Sequence, residues 1–274
     1  MKEKTELEKL QELEELKKVR CELFTNPDLE ITPELEAEKM NLISNPALLK
    51  LIEHDTIAFF DLKEGKCDFY SSTNERWLHA VPRIVDEDIN SPSLAEITFA
   101  DDLPYAYKLE NNVFNFLMSL QPSEVPSFGL NYFRRLKNKK EGYVCTRFRY
   151  KVVLCDVNGK PWIIMGLIKL FAHLHCPDMA QYRFYSVFPA KQFKKWEKIK
   201  GATFLHLNEE PRKVFTYYNA GYSKEEIADK LFKSDKTVKA HNSNTLSMFD
   251  LKKTILTCRV AEQLQLIKED DVIL

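Results

Sequence analysis

The spacing of apolar residues changes period along this chain, and each change marks a new kind of element. Residues 1–24 are dense in Glu, Lys and Leu and hold neither Gly nor Pro. Leu7, Leu10, Leu13, Leu16, Val19 and Leu23 recur mostly at intervals of three, which predicts a helix whose apolar stripe drifts around its axis. Such a helix packs on its own domain or on a partner subunit. Asn26-Pro27 ends it, and Thr32-Pro33 starts a second short helix that stops near Ser44-Asn45-Pro46. From Thr56 the period falls to two. Residues 56–61 and 67–71 read as strands flanking a Lys-Glu-Gly-Lys turn. Helical stretches are expected over 75–80 and 104–120. Strands follow over 131–136, 143–157, 162–171 and 182–188, with Asn158-Gly159 a strong hairpin signal between two of them.

After Leu207 the pattern is helical again. Val214, Phe215, Tyr217 and Tyr218 give one apolar face. Gly221 stands where a left-handed C-terminal cap would sit. Ser223 and Glu226 have the spacing of a capping box, and Ile227, Ala228 and Leu231 form the buried stripe of the next helix. Ser234 caps a third helix, with Thr237 at the reciprocal position and Val238, Thr245 and Leu246 inward. Two short helices joined by a tight turn make a helix-turn-helix, whose second helix enters the major groove. Its outward residues are expected to be Lys236, Thr237, Lys239, Ala240, Ser243 and Asn244. Their chemistry suits phosphates and base edges. Ser223 and Lys224, at the start of the preceding helix, join them as expected DNA contacts.

The residues Leu207, Val214, Ala220-Gly221, Ser223, Glu226-Ile227-Ala228, Leu231, Ser234, Lys236-Thr237-Val238-Lys239, His241, Asn244 and Leu246 make this region resemble the DNA-binding domain of LuxR-type (GerE-type) bacterial transcription regulators. The resemblance implies a four-helix domain in which the third helix reads DNA and the fourth pairs subunits. The fourth would run over 254–267 with Ile255, Val260, Leu264 and Ile267 as its dimerising positions. The chain departs from the family after the leading Leu207, where Asn208, Glu209, Glu210 and Pro211 follow. Pro211 is tolerated in a first helical turn, but the acidic pair would weaken phosphate contact.

The middle of the chain, over 48–190, is similar to PAS domains of the kind that precede LuxR-type domains. The pieces that carry this are the hairpin over 56–71, the Phe99-Ala100-Asp101-Asp102-Leu103-Pro104 start of a helix, Gly142-Tyr143, and Asn158-Gly159-Lys160-Pro161. The similarity implies a five-stranded antiparallel sheet with helices on one face, used to sense a ligand or to dimerise. The expected fold class is therefore α+β. An N-terminal helical segment (1–47) leads into a PAS-like domain (48–190), a basic linker (191–203) and an all-α LuxR-type domain (204–274).

Composition modifies this picture in two respects. The net charge of the 274 residues is −1, so no global basic pull favours nucleic acid, and any DNA contact rests on local placement. Lysines 191, 194, 195, 198 and 200 do cluster just ahead of the helix-turn-helix. The six cysteines are scattered without a CxxC pair, which reads as reduced thiols. No signal peptide or membrane-length apolar run is evident, so a soluble cytoplasmic protein is expected.

Candidate chemistry is sparse. GxSxG, Walker A and HExxH motifs are absent, and no enzyme activity is expected. His173, His175, Cys176 and Asp178 form a local cluster, but a structural zinc wants four ligands; it is read as a strand end, with no metal. Phe59, Phe69, Phe114, Phe148 and Trp162, with Trp77, Phe99 and Phe133, either line a small-molecule pocket or fill the core. The Asn-Cys-Arg motif of flavin-binding PAS domains is absent, and His79, the helical candidate for a haem ligand, is read as a surface residue, so no cofactor is expected. Asp101-Asp102 is read as a helix cap. The expected function is a homodimeric regulator of transcription that binds double-stranded DNA. The alternatives are an interaction adaptor that no longer grips DNA, or a receptor of the acyl-homoserine-lactone kind.

Overall fold

The computed structural model describes residues 5–44, 55–71, 83–88, 97–137, 142–171, 183–193, 199 and 201–267. The expected helix over 75–80 (with Trp77 and His79), the cluster from His173 to Asp178, and Lys194, Lys195, Lys198 and Lys200 lie outside the described residues, as do the side chains of Phe69 and Lys191. The chain divides into two compact units: residues 1–183 with 187–202, and residues 184–186 with 203–274.

The first unit opens with α1 (Glu6–Leu23). Thr5 caps it: the Glu8 amide donates to Thr5 Oγ1 at 3.3 Å, and the Thr5 amide donates back to the Glu8 carboxylate at 2.7 Å. Helix α2 (Pro33–Ser44) starts on a proline, where a missing N–H costs nothing. The sheet is built from β1 (Asp55–Asp61), β2 (Lys66–Ser71), β3 (Arg83–Asp88), β4 (Gly129–Lys137), β5 (Tyr143–Cys155) and β6 (Pro161–Phe171), in the order β3-β2-β1-β6-β5-β4. Neighbours whose register is defined pair antiparallel. This is one strand more than expected. The extra strand, β3, is an edge and ends in Asp86-Glu87-Asp88; charge of this kind hides a strand from pattern reading and also protects an edge from foreign pairing.

Between β3 and β4 lies α3 (Leu103–Ser119), with Leu109, Val113, Phe114 and Leu117 buried. The strand register puts Tyr132, Phe148 and Ile168 in one row and Leu130, Tyr150 and Gly166 in the next, with Phe60 opposite Ile164. These side chains share one face of the sheet, because alternate residues of a strand point the same way. Helices α1 and α3 cover that face: Phe24 meets Phe114 edge-on at 4.1 Å and Phe60 at 6.1 Å. Gly166 is required there, since a Cβ would stand 2.9 Å from Tyr150 Cε1 and 3.1 Å from the Phe60 ring. The N-terminal helix thus packs on its own domain, one of the two places open to it in the sequence, and belongs to the sheet unit. The exposure of Leu7 and Leu10 shows that the drift of its stripe carries the first turns off the core.

The start of the stretch expected as a linker is helical. Helix α4 (Ala190–Phe193) anchors Phe193, which is buried edge-on to Phe116 at 5.2 Å. In the second unit, the first residues of β7 (Phe184–Phe188) pair in parallel with β8 (Thr203–Phe204), Phe184 with Thr203 and Tyr185 with Phe204.

Four helices make up the rest of the second unit: α5 (Glu209–Asn219), α6 (Lys224–Lys230), α7 (Asp235–Met248) and α8 (Thr254–Gln263). Val214, Phe215, Ile227, Ala228, Val238, Phe249 and Cys258 are all buried, and burial pushes the Cys258 thiol up to about 12. All four helices end in the same way. A residue with positive φ follows each (Gly221, Phe232, Asp250, Gln265), and the next amide reaches back to the helix: Tyr222 to Tyr217, Lys233 to Ala228, Leu251 to Leu246 and Leu266 to Ala261, at 2.8–3.1 Å. These are Schellman caps. The sequence shows a glycine at the first only. Phe232 holds φ +52° with 98% of its surface exposed, so it bears left-handed strain and gains no burial in return. Phe232→Gly is expected to stabilise the second unit by about 0.5–1 kcal/mol, the removed strain less the extra freedom of glycine in the unfolded chain. Thermal unfolding of the two proteins checks this.

Candidate nucleic-acid interface

The helix-turn-helix is fixed by its caps. Ser223 Oγ accepts the Glu226 amide at 3.3 Å, and the Glu226 carboxylate accepts the Ser223 amide at 2.8 Å. The Ser223 backbone N–H and its hydroxyl hold the Glu226 carboxyl below its ordinary value. Ser234 Oγ accepts the Thr237 amide at 3.1 Å, and the two hydroxyls lie 2.9 Å apart. With Val238 and Thr245 buried, α7 has one rotational setting. Lys236, Lys239, Ala240, Ser243 and Asn244 are then all exposed. Their spacings of three and four bring them into one ridge.

The other expected contacts are engaged within the chain. The hydroxyls of Ser223 and Thr237 belong to caps, and Lys224 Nζ lies 2.9 Å from Asp235 and 3.1 Å from Glu225. Among the described residues, no carboxylate lies within ion-pair distance of Lys236 or Lys239. The acidic pair ahead of the motif is answered locally: Glu209 pairs with Lys213 at 2.7 Å and Glu210 with Lys233 at 2.5 Å. Hydrogen bonds from these lysines hold both carboxyls below their ordinary value. The expectation that this pair repels phosphate is thus blunted, through Lys233, which pattern reading passed over. Asn242 exchanges hydrogen bonds with Thr254 at 3.1 and 3.2 Å, tying α7 to α8.

Three of the four positions expected to pair subunits are buried within the chain. Val260, Leu264 and Ile267 are 2%, 0% and 2% exposed and fill the chain's own interior, while Ile255 is 56% exposed. An apolar stripe spent on its own core is not available to a partner. The outward side of α8 carries Ile255 and Arg259 instead.

The aromatic residues expected as a pocket in the first unit separate into different places. Phe114 and Phe148 are buried on the face under α1 and α3. Phe59 is buried too, but it neighbours Phe60 in the strand and so points to the opposite face. Trp162 Nε1 donates to Asp61 at 3.1 Å, and Lys39 from α2 pairs with the same carboxylate at 2.7 Å. What the aromatic pattern concealed is a buried charge cluster. Glu110 is fully buried in α3. It accepts from Arg20 Nε at 2.9 Å, from the Tyr150 hydroxyl at 3.2 Å, and from the Tyr132 hydroxyl in a short bond. A signal was available: Glu110 is a charge in the otherwise apolar helical stripe of Ala106, Leu109, Val113 and Phe114.

Burial alone would raise the Glu110 carboxyl, but the Arg20 and Arg134 charges more than reverse this and leave it below its ordinary value of 4.5. A depressed folded value means stability that is present above about pH 4.5 and lost as pH falls through the folded value. Urea midpoints measured from pH 6 downwards are expected to fall below about pH 4.5, and to fall less steeply for Glu110→Gln.

Asp102 stands at the N-cap position of α3, as expected, but its side chain does not cap the helix. Its carboxylate accepts the Arg135 backbone amide at 2.8 Å, Nε at 3.0 Å and Nη2 at 2.6 Å, and lies 3.6 Å from Arg183. A carboxylate held by two guanidiniums is structural and does not serve as a phosphoacceptor.

Among the described residues, no His, Cys, Asp and Glu group could hold a metal ion, and no helix is long and apolar enough to cross a membrane. No curated protein matches the chain. Solved structures similar to it include VqmA of Vibrio cholerae in a ligand–DNA complex (13% identity over 80% of this chain and 88% of that one, TM-score 0.30). A VqmA dimer from the same organism without target DNA gives 13% identity over 84% and 92%, TM-score 0.32. A phage VqmA–DPO complex gives 12% identity over 82% and 89%, TM-score 0.29. Residues 207–256 match the GerE family, the bacterial regulatory proteins of the luxR family. With its caps, its turn and its exposed ridge on α7, this segment is a LuxR-type helix-turn-helix domain.

Proposed function

We propose that the protein is a dimeric, DNA-binding regulator of transcription whose first unit is a PAS-like sensor. The observation that carries this is the exposed ridge of Lys236, Lys239, Ala240, Ser243 and Asn244 on a helix held by a capped turn. Its lysines stay available while Glu209, Glu210, Glu225 and Asp235 around the motif are paired within the chain. Two copies would place two such helices in successive major-groove segments of a two-fold site, and the outward side of α8 is the surface on which they would pair. The VqmA structures, described as DNA complexes, dimers and ligand complexes, support this arrangement by analogy only.

Duplexes selected by the full chain from random DNA, followed by fluorescence anisotropy, test the reading. Binding through six or more phosphates is expected to weaken by about 10³-fold or more between 50 and 200 mM salt. Absence of a selected duplex, or binding indifferent to salt, would leave the interaction adaptor as the better description.

A further inference from the structure

Phe232 combines two features that the fold of the second unit does not need. It stands in the turn between α6 and α7 with 98% of its surface exposed, so its ring packs on almost nothing of its own chain. Its backbone holds φ +52°, the left-handed region in which a bulky side chain is an outlier. Gly or Asn would make the same cap with less strain. The lysines near it are taken up within the chain: Lys233 Nζ lies 2.5 Å from Glu210, and Lys230 Nζ lies over the Tyr222 ring at 4.8 Å. A lone apolar side chain on a surface is ordinary. An aromatic ring held out in water from a strained backbone is not, because strain kept without burial clusters at sites that bind something.

The position of Phe232 identifies the partner. It precedes Ser234, the cap of α7, by two residues, a span of at most about 7 Å. In a helix-turn-helix the N-terminal end of the second helix is the part that meets base edges in the major groove. Lys236, in the first turn of α7, opens the exposed ridge at that same end. A phenyl ring has no donor to offer a phosphate. The apolar feature that the major groove presents to it is the C5-methyl of thymine. We infer that Phe232 is a DNA contact in its own right, its ring set against a thymine methyl at the end of the stretch read by α7. Burial of the ring on the duplex then offsets the strain that the free chain carries. The inference rests on the regulator reading proposed above and adds to it a residue that reads a base through an apolar contact.

The test uses the full chain and the duplex that it selects, followed by fluorescence anisotropy. Phe232→Gly and Phe232→Asn both suit a left-handed turn, so each should melt no lower than the parent. Each should nonetheless bind about five-fold more weakly, the effect of leaving roughly 40 Å² of apolar contact unmade. The slope of log affinity against log salt should stay as it is, because no phosphate contact is lost. The thymines of the duplex are then replaced one at a time by deoxyuridine, which removes only the C5-methyl. At one position in each half-site the parent should lose about three-fold in affinity, and Phe232→Gly should lose nothing. Three results overturn the inference: affinity unchanged in both variants, a flatter salt slope in them, or a scan in which no thymine methyl matters more to the parent than to Phe232→Gly. If the Lys236→Glu, Lys239→Glu double variant still loses the duplex, such a result removes the Phe232 contact alone. Failure of the full chain to select any duplex removes the regulator reading and the contact with it.

Discussion

Glu110→Ala is expected to cost the first unit about 3–5 kcal/mol, the range for removing one partner of a buried ion pair. The substitution leaves Arg20 and Arg134 as buried cations with no carboxylate between them, and it strips the Tyr132 and Tyr150 hydroxyls of their acceptor. Against the 5–15 kcal/mol that holds a typical domain together, that loss is enough to leave much of the protein unfolded at growth temperature. Urea denaturation followed by circular dichroism measures it. Arg20→Met combined with Glu110→Leu should recover part of the loss, since an apolar pair of similar volume often replaces a buried ion pair without penalty. A single alanine variant within about 1 kcal/mol of its parent would mean that water reaches the cluster and screens its charges.

The second large effect belongs to α7. Lys236→Glu combined with Lys239→Glu is expected to weaken DNA binding thirty-fold or more, taking about 1–3 kcal/mol for each lost contact. It should also flatten the salt dependence by about two phosphate contacts. Both side chains are exposed and α7 is held by Ser234, Val238 and Thr245, so the variant should keep its helix content and melting temperature. Unchanged affinity for the selected duplex would show that the ridge does not face DNA.

The helix-turn-helix was legible because its information is local. Ser223 with Glu226, Ser234 with Thr237, and Gly221 each act within one turn of their own position, and a stripe at helical spacing fixes which side faces out. The strand pairs around Gly65 and Gly159 were legible for the same reason. The buried cluster was not, because Arg20 and Glu110 lie 90 residues apart and no short-range pattern couples them. Strand β3 was missed because its acids look like a loop. The burial of Val260 and Leu264 within their own unit was not legible, because an apolar stripe reads alike whether it fills its own core or a neighbour's. The paired role of Asp102 was hidden behind its position at a helix start.

The contribution of α1 bears on how the protein can be dissected. Arg20 is the cation that neutralises Glu110, and Phe24 is wedged between Phe60 and Phe114. A fragment cut at residue 48, where the PAS-like pattern begins, would expose the aromatic face of its sheet and strand an acid in oil, so it should be recovered as aggregate. A fragment of the first unit begun at Thr5 keeps the lid and its counter-charge together.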